Sequence, residues 1–465
     1  MKIFLAGHNV DADLVKEIKS QNPGLKDKLT PETISAAYAR ISRDPRPVNE
    51  LRELARNEVE KSRKSNSTII FEMGHSSIAE HAVFNFDIIG ISRLAIEELE
   101  RCRLASYTEK SQRYITLTDD YVIPKELKGA DIQKFKETIL IQNALYQELF
   151  VNLKGFVFKE HEELAKDEKN HRTLEGWAKE DARYITALAT QGQLGMTVNA
   201  RTLEYMLRRF SASDLLEVRE LGEKLYESVK DIAPSVVKYT AATDYDLSNY
   251  KNIKKICDGF NICRETTGGV STQKDSVKLV SYTEKMDDKI LAAIIFSTTQ
   301  LSYDETFERI KTLNEQQKED ILKAGFSDLK LYNSVLREFE FGDFVFELNV
   351  SSACFGQLKR HRLCTIISQN YDIDGGIEIP ESIKRVGYEK IFRDIAKKSE
   401  NLYSYLNEKY SANVAEYILT NSHRRKVLIK INARELYHLS RLRDDAHAQW
   451  DIKNITEKMV DFAKK

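Results

Sequence analysis

The stretch Thr197-Val198-Asn199-Ala200-Arg201 has a counterpart in Lys430-Ile431-Asn432-Ala433-Arg434, and the shared tripeptide Asn-Ala-Arg decides how the chain is read. Each copy follows an Arg-X-Arg, Arg101-Cys102-Arg103 in the first case and Arg360-His361-Arg362 in the second. The chain therefore reads as two diverged copies of one ancestral unit. The Arg-X-Arg motifs lie 259 positions apart (360 against 101) and the Asn-Ala-Arg motifs 233 apart (432 against 199). Copy two is thus 26 residues shorter between its motifs. The extra length of copy one falls in a charged, helix-patterned stretch around Gln133 to His171, expected on the surface and outside any site.

Working outward, the two copies keep the same order of elements. Met1 to His8 reads as a first strand, because Asp11 and Asp13 soon interrupt it and no long apolar core of a signal peptide is present. Helices are expected around Ile34–Ala37 and Leu291–Ile294. Strands follow, with Phe84, Phe86 and Ile88 alternating against Val83, Asn85 and Asp87 in copy one. In copy two Phe339, Phe341, Phe344 and Phe346 flank Gly342, read as a bulge. Helical spacing returns after each Asn-Ala-Arg, from Asn199 to Tyr226 and from Asn432 to Phe462. The seam is placed in the Gly/Ser/Thr-rich run Thr266–Gln273. The expected division is 1–245 for the first domain, 246–275 for a linker and 276–465 for the second domain. Strands and helices mix without regular βαβ alternation, so each half is α+β.

The 465 residues suffice for two cores. A formal net charge of −1 provides no global basic field, which argues against nucleic acid or an anionic membrane as partner. No window reaches the roughly 20 apolar residues of a membrane span. Five scattered cysteines argue for a reducing, cytoplasmic setting rather than a disulfide framework. Cys257 and Cys263 have neither a second pair nor a nearby histidine, so no metal site is expected.

The chemistry concentrates in Arg101-Cys102-Arg103-Leu104-Ala105-Ser106-Tyr107-Thr108-Glu109-Lys110-Ser111-Gln112-Arg113, where guanidinium forks and hydroxyls suit an anionic phosphate. A solvated loop with salt bridges is the competing reading. The segment resembles the signature of flavin-dependent thymidylate synthases, an Arg-His-Arg followed by a serine-rich loop and a final arginine. Cys102 stands in place of the histidine. Gly74-His75-Ser76-Ser77-Ile78-Ala79-Glu80-His81, Ala182-Arg183-Tyr184 and Thr197–Arg201 resemble further family motifs in the expected order. In copy two, Gln357-Leu358-Lys359-Arg360-His361-Arg362 is the full Arg-His-Arg with its upstream glutamine. Arg443-Asp444-Asp445-Ala446-His447-Ala448-Gln449-Trp450 matches the family's Arg-X-Asp-X-His-Ala-Gln-Trp run. The resemblance covers roughly 30–240 and 280–460 and implies two tandem copies of that fold, an antiparallel sheet flanked by helices.

The resemblance also implies roles. Arg443 contacts the pyrimidine and favours its N3-ionised form, since a cation stabilises charge developing on the ring. Glu109, Ser111, Gln112, Arg113 and Arg183 bind the nucleotide, with Gln357 and Arg360. FAD falls to His75, Ser77, Arg101, Arg103, Asn199, Arg201, Arg360, His361, Arg362, Asn432, Arg434, His438 and His447. Fold-maintaining ion pairs are the second reading of the six motif arginines, and core or cap positions that of His75 and His81.

The copies differ in complementary ways. With the 259 offset, Glu109, Ser111 and Arg113 become Ser368, Asn370 and Asp372, and Asp372 would repel a phosphate. With the 233 offset, Arg443, His447 and Gln449 become Phe210, Asp214 and Leu216, so copy one lacks the ring-activating arginine. Glu98 stands opposite Gln357. A site assembled from both copies is expected, within a homodimer that mimics the family's homotetramer. One departure remains: Arg183 becomes Glu416 in copy two, where Arg424 or Arg425 would have to substitute.

The resemblance thus implies an FAD-dependent methyltransferase that converts dUMP to dTMP with methylenetetrahydrofolate and NADPH. Cys102 and Glu416 keep open a related flavoprotein acting on another nucleotide or one-carbon acceptor. A non-catalytic flavin- or nucleotide-binding assembly is the third reading.

Overall fold

The computed structural model describes residues 1–465 except 12, 16–28, 42, 43, 118, 119, 261, 263–274, 331, 332, 446 and 447. The chain forms two compact units, and neither is one half of the sequence. The first holds Met1–Ala144, Ala187–Gly268 and Asn401–Ile418; the second holds Leu145–Thr186, Gly269–Glu400 and Leu419–Lys465. Each unit is therefore built mainly from one copy with a helical segment supplied by the other.

The first unit contains an antiparallel sheet of β1 (Lys2–His8), β2 (Val83–Ser92), β3 (Ala105–Glu109) and β4 (Gln191–Asn199), in the order β1-β2-β4-β3. Phe84, Phe86 and Ile88 are buried on one face while Asn85 and Asp87 face outward, as a period of two requires. Its helices include α1 (Glu32–Arg40), α2 (Arg93–Glu100), the start of α3 (Ala130–Glu160), α4 (Ala200–Ser211) and α5 (Leu216–Glu227). The Ser92 hydroxyl at the end of β2 accepts from the Ala95 amide, and Asn199 at the end of β4 accepts from Thr202. Each strand thus ends on the residue that caps the next helix, which satisfies an otherwise orphaned N–H. The insert expected on the surface is part of the packing instead: Phe135, Ile139, Leu145, Tyr146, Leu149 and Leu153 of α3 are all buried. With the buried Gln142, residues 135, 139, 142, 146, 149 and 153 recur at three- and four-residue spacing along α3, whose residues from Leu145 onward belong to the second unit.

The second unit repeats the plan. Strands β5 (Val277–Tyr282), β6 (Asp343–Ser351), β7 (Thr365–Ser368) and β8 (Arg424–Asn432) pair antiparallel in the order β5-β6-β8-β7. The helices include α6 (Met286–Thr298), α7 (Ser352–Leu358), the start of α8 (Glu389–Lys409), α9 (Ala433–Arg443) and α10 (Trp450–Ala463). Phe344, Phe346, Leu348 and Val350 of β6 and Val427, Ile429 and Ile431 of β8 share a core with Leu436, Leu439, Ile452, Ile455 and Met459 from α9 and α10. Ser351 caps α7 and Asn432 caps α9, matching Ser92 and Asn199.

Gly342 is not a bulge. It separates a 3-10 turn, Arg337–Phe341, from β6, and a Cβ there would lie 2.4 Å from Met286 Cγ. The glycine is a point of close approach to α6. The segment read as a linker begins with a helix, Asp244–Gly259, while the seam Thr266–Gln273 and Cys263 lie outside the described residues. Among the described residues no helix is long and apolar enough to cross a membrane.

Candidate functional site

In the second unit the last residue of α9, Arg443, is half-buried and held by two neutral side chains. Its Nε donates to His361 Nε2 at 3.2 Å and its Nη1 to Gln357 Oε1 at 3.4 Å. Because His361 Nε2 accepts, the ring proton belongs on Nδ1, which faces Glu435 at 3.5 Å. Burial lowers the His361 pKa, Glu435 opposes that shift, and Arg443 adds to it. A neutral imidazole follows, suited to orienting the arginine rather than repelling it. Arg443, Gln357 and His361 are thus brought together, with Gln357 and His361 placed by the short helix α7 and the turn after it.

A line of residues continues from Gln357. Its Nε2 donates to Gln449 Oε1 at 3.3 Å, Gln449 Nε2 donates to the Tyr184 hydroxyl at 2.8 Å, and that hydroxyl donates to Asp451 Oδ2 at 3.0 Å. Ser351 Oγ also donates to Asp451 Oδ2, at 2.5 Å. Tyr184 stacks on Trp450 with ring centroids 5.6 Å apart, and the indole N–H donates to Asp181 at 2.8 Å. Burial raises the pKa of both Asp181 and Asp451 to about 6, aided at Asp451 by nearby Glu378. Sequence reasoning passed over Tyr184 and Asp451 as functional residues. A signal existed: Tyr184 recurs as Tyr417 and Ser92 as Ser351, at the same offsets as the two motifs.

Arg183, expected at the nucleotide, precedes this tyrosine in the chain. Arg183 is buried in the second unit, the unit that carries Arg443, while Glu416 belongs to the first. Arg424 and Arg425, the first two residues of β8, have partners of their own. Arg424 is ion-paired with Glu378, and the Arg425 guanidinium lies 4.3 Å from the Tyr371 ring centroid and 4.8 Å from that of Phe355.

The first unit has the same lock with a different extension. Tyr417 donates to Glu217 Oε2 at 2.6 Å, as does Ser92 Oγ at 2.6 Å. Burial raises the pKa of Glu217. Here Leu216 and Glu98 occupy the places of Gln449 and Gln357 in sequence. Phe210, aligned with Arg443, is buried in the core. The guanidinium that reaches the equivalent position is Arg209, whose Nη1 lies 3.7 Å from Cys102 Sγ and whose Nη2 lies 3.9 Å from Glu98 Oε2. Copy one therefore keeps an arginine one residue earlier, beside a carboxylate. Burial raises the Cys102 pKa, so the thiol is protonated.

The loop expected to bind the nucleotide follows β3. Glu109 ends that strand and borders a cleft of about 420 Å³ with Asp87, Thr108, Lys110 and Gln193. Ser111 Oγ accepts from the Arg113 amide at 3.2 Å, which closes a turn that buries Gln112 and leaves Arg113 half-buried. In copy two Asp372 is exposed, and its carboxylate accepts from the Asp374 amide at 2.9 Å. A cavity of about 590 Å³ bordered by Leu279, Met286, Phe344 and Phe462 in the second unit includes none of these side chains.

The doubled Asn-Ala-Arg makes the same kind of structural contacts in both units. Asn199 and Asn432 cap helices, Arg201 pairs with Glu80, and Arg434 pairs with Glu340 at 2.9 Å. Both glutamates sit on the 3-10 turn before the central strand, so each arginine ties that turn to the helix. Arg101, Arg103, Arg360 and Arg362 are exposed, and Arg101 pairs with Glu98 at 2.9 Å. His75 and Ser77 are exposed on the turn of the first unit. His438 is exposed on α9, 6.3 Å from the His361 ring. His447 lies outside the described residues.

Comparison with known proteins adds the family. Residues 25–235 and 278–465 each match the family of thymidylate synthase complementing proteins. A UPF0159 protein of Thermoplasma acidophilum is 24% identical over 470 residues, covering 92% of both chains. A flavin-dependent thymidylate synthase of Clostridium tetani is 30% identical over 233 residues, covering 48% of this chain and 89% of its own. A helicobacter pylori flavin-dependent thymidylate synthase, solved as a complex with FAD and dUMP, aligns with 52% of this chain and 100% of its own at 19% identity and a TM-score of 0.31. Two matched segments in one chain accord with a tandem duplication. The chain belongs to the thymidylate synthase complementing protein family, the family of the flavin-dependent thymidylate synthases.

Proposed function

We propose that the chain is a flavin-dependent thymidylate synthase that methylates dUMP to dTMP, with methylenetetrahydrofolate as one-carbon donor and NADPH as reductant. The observation that carries this reading is the seating of Arg443 between His361 and Gln357, in the unit that also holds Arg183. A fixed cation of this kind stabilises negative charge at N3 and O4 of a uracil ring during its activation at C5. It is already oriented before substrate arrives, so little reorganisation is needed in the transition state.

FAD fits the donor set: exposed guanidinium groups at Arg101, Arg103, Arg360 and Arg362, with His75, Ser77 and His438, suit an anionic diphosphate. When bound, the flavin supplies the hydride that completes the methyl group. The chain's own residues bind and orient. Ser111, Gln112 and Arg113 grip the nucleotide phosphate with Glu109 beside them, and Arg443 engages the ring. The loop comes from copy one and Arg443 from copy two, so the two copies supply different parts of the chemistry within a homodimer. Asn199, Arg201, Asn432 and Arg434 act by holding the frame, as their caps and ion pairs indicate.

The test is tritium release from dUMP labelled at C5, with the flavin-loaded chain, methylenetetrahydrofolate and NADPH. Release at a rate that depends on all three supports the reading. A yellow protein that NADPH bleaches but that releases no tritium excludes it and leaves another acceptor.

A further inference from the structure

We propose that Tyr184 is a positioning residue for Arg443, acting through a one-way hydrogen-bond chain that ends on the Asp451 carboxylate. The inference rests on the ring-activating role proposed above for Arg443 and deepens it. The direction of the chain is set by its far end. Gln449 is fully buried, and its Oε1 accepts from the backbone amides of Asp451 at 3.1 Å and Ile452 at 3.3 Å, because it caps α10. Those two donors fix which end of the Gln449 amide is oxygen. Its Nε2 must then face Tyr184, whose oxygen accepts and whose proton goes to Asp451. Gln357 is oriented in turn: its Nε2 donates to the same Gln449 oxygen, so its Oε1 faces Arg443. The order of donors is Arg443, Gln357, Gln449, Tyr184, and the final acceptor is a carboxylate. A chain of aligned dipoles ending on an anion strengthens each link, including the one that holds the guanidinium.

The first unit supplies a control within the same molecule. Tyr417, Glu217 and Ser92 reproduce the lock of Tyr184, Asp451 and Ser351. Yet Leu216 and Glu98 stand where the relay would need two glutamines, so that lock connects to no ring-activating arginine. A purely structural role predicts equal consequences for the two tyrosines. A positioning role predicts unequal ones.

The experiment compares Tyr184→Phe with Tyr417→Phe in the full-length, flavin-loaded chain. For Y184F, kcat for dUMP is expected to fall about tenfold with KM within about twofold, the loss associated with one misplaced hydrogen bond. In an Arg443→Ala background the same substitution should have no further effect on kcat. Thermal stability should fall to a similar extent in Y184F and Y417F, while kcat of Y417F stays within about twofold of the parent. Crystal structures of both variants give a readout that needs no turnover: the Arg443 guanidinium shifts or the Gln357 amide rotates in Y184F and not in Y417F. An unmoved guanidinium in Y184F, equal kcat losses in both variants, or a Y184F effect that persists without Arg443 overturns the proposal. A parent enzyme inactive on dUMP instead overturns the reading of the site, and the crystal structures still decide the inference.

Discussion

The Tyr184 hydroxyl donates to the Asp451 carboxylate at 3.0 Å, although 267 positions separate the two residues. That contact joins a segment of the first copy to the first turn of α10 in the second. It also explains why Arg183 belongs with Arg443: the arginine travels with the tyrosine beside it.

Arg443→Ala is expected to lower kcat for thymidylate formation by at least about 100-fold, in line with removal of a preorganised charge-stabilising donor. Bound flavin, read from visible absorbance, should persist. Full activity in this variant would refute the division of labour between the copies.

Arg113→Ala should act differently, raising KM for dUMP by about tenfold or more because a charge-assisted phosphate contact is lost. Asp372→Ala should leave steady-state constants within about twofold, since that exposed carboxylate only closes its own turn. A larger effect from Asp372 than from Arg113 would reverse the assignment of the live loop.

Asp451 makes stability depend on pH. Its folded pKa of about 6 lies above the ordinary value of 3.8 because burial, then Glu378, disfavours the charge. A raised carboxyl contributes stability that is full below about pH 4 and lost as pH rises through about 6. Denaturant titrations at pH 4 and pH 7 should show the parent losing roughly 3 kcal/mol more than Asp451→Asn over that interval. Parallel profiles for the two proteins would sink this account. The ionised carboxylate is thus a stability cost at neutral pH, consistent with a residue retained for what it positions.

Gly342→Ala should destabilise the second unit by about 1–3 kcal/mol, because the new methyl group meets Met286 at the start of α6. Met286→Ala in the same chain should recover part of that loss. Additive losses on thermal melting would show that the close approach is not the cause.

Much of the fold was legible in the sequence. Alternating Phe84, Phe86 and Ile88, and Phe344 with Phe346, mark central strands because one sheet face must be buried. The repeated Asn-Ala-Arg marks a strand-to-helix junction because an asparagine at that point caps the first turn. Gly342 misled because a glycine within a strand pattern signals either a bulge or a close approach, and only the position of Met286 distinguishes them. Arg209 was missed because alignment by offset assigns one residue to one place. A long, flexible guanidinium can reach the same place from the neighbouring position.

By itself the sequence determined the duplication, the order of strands and helices in each copy, and the chemical inventory of the loops. Those follow from local rules: side-chain periodicity, capping preference, and charge at known spacing. Only the tertiary structure decided that 145–186 joins the second unit and 401–418 the first. An amphipathic helix specifies that one face is buried, not which of two related cores buries it. That choice rests on long-range contacts such as Tyr184 with Asp451 and Tyr417 with Glu217, each of which joins residues at least 200 positions apart.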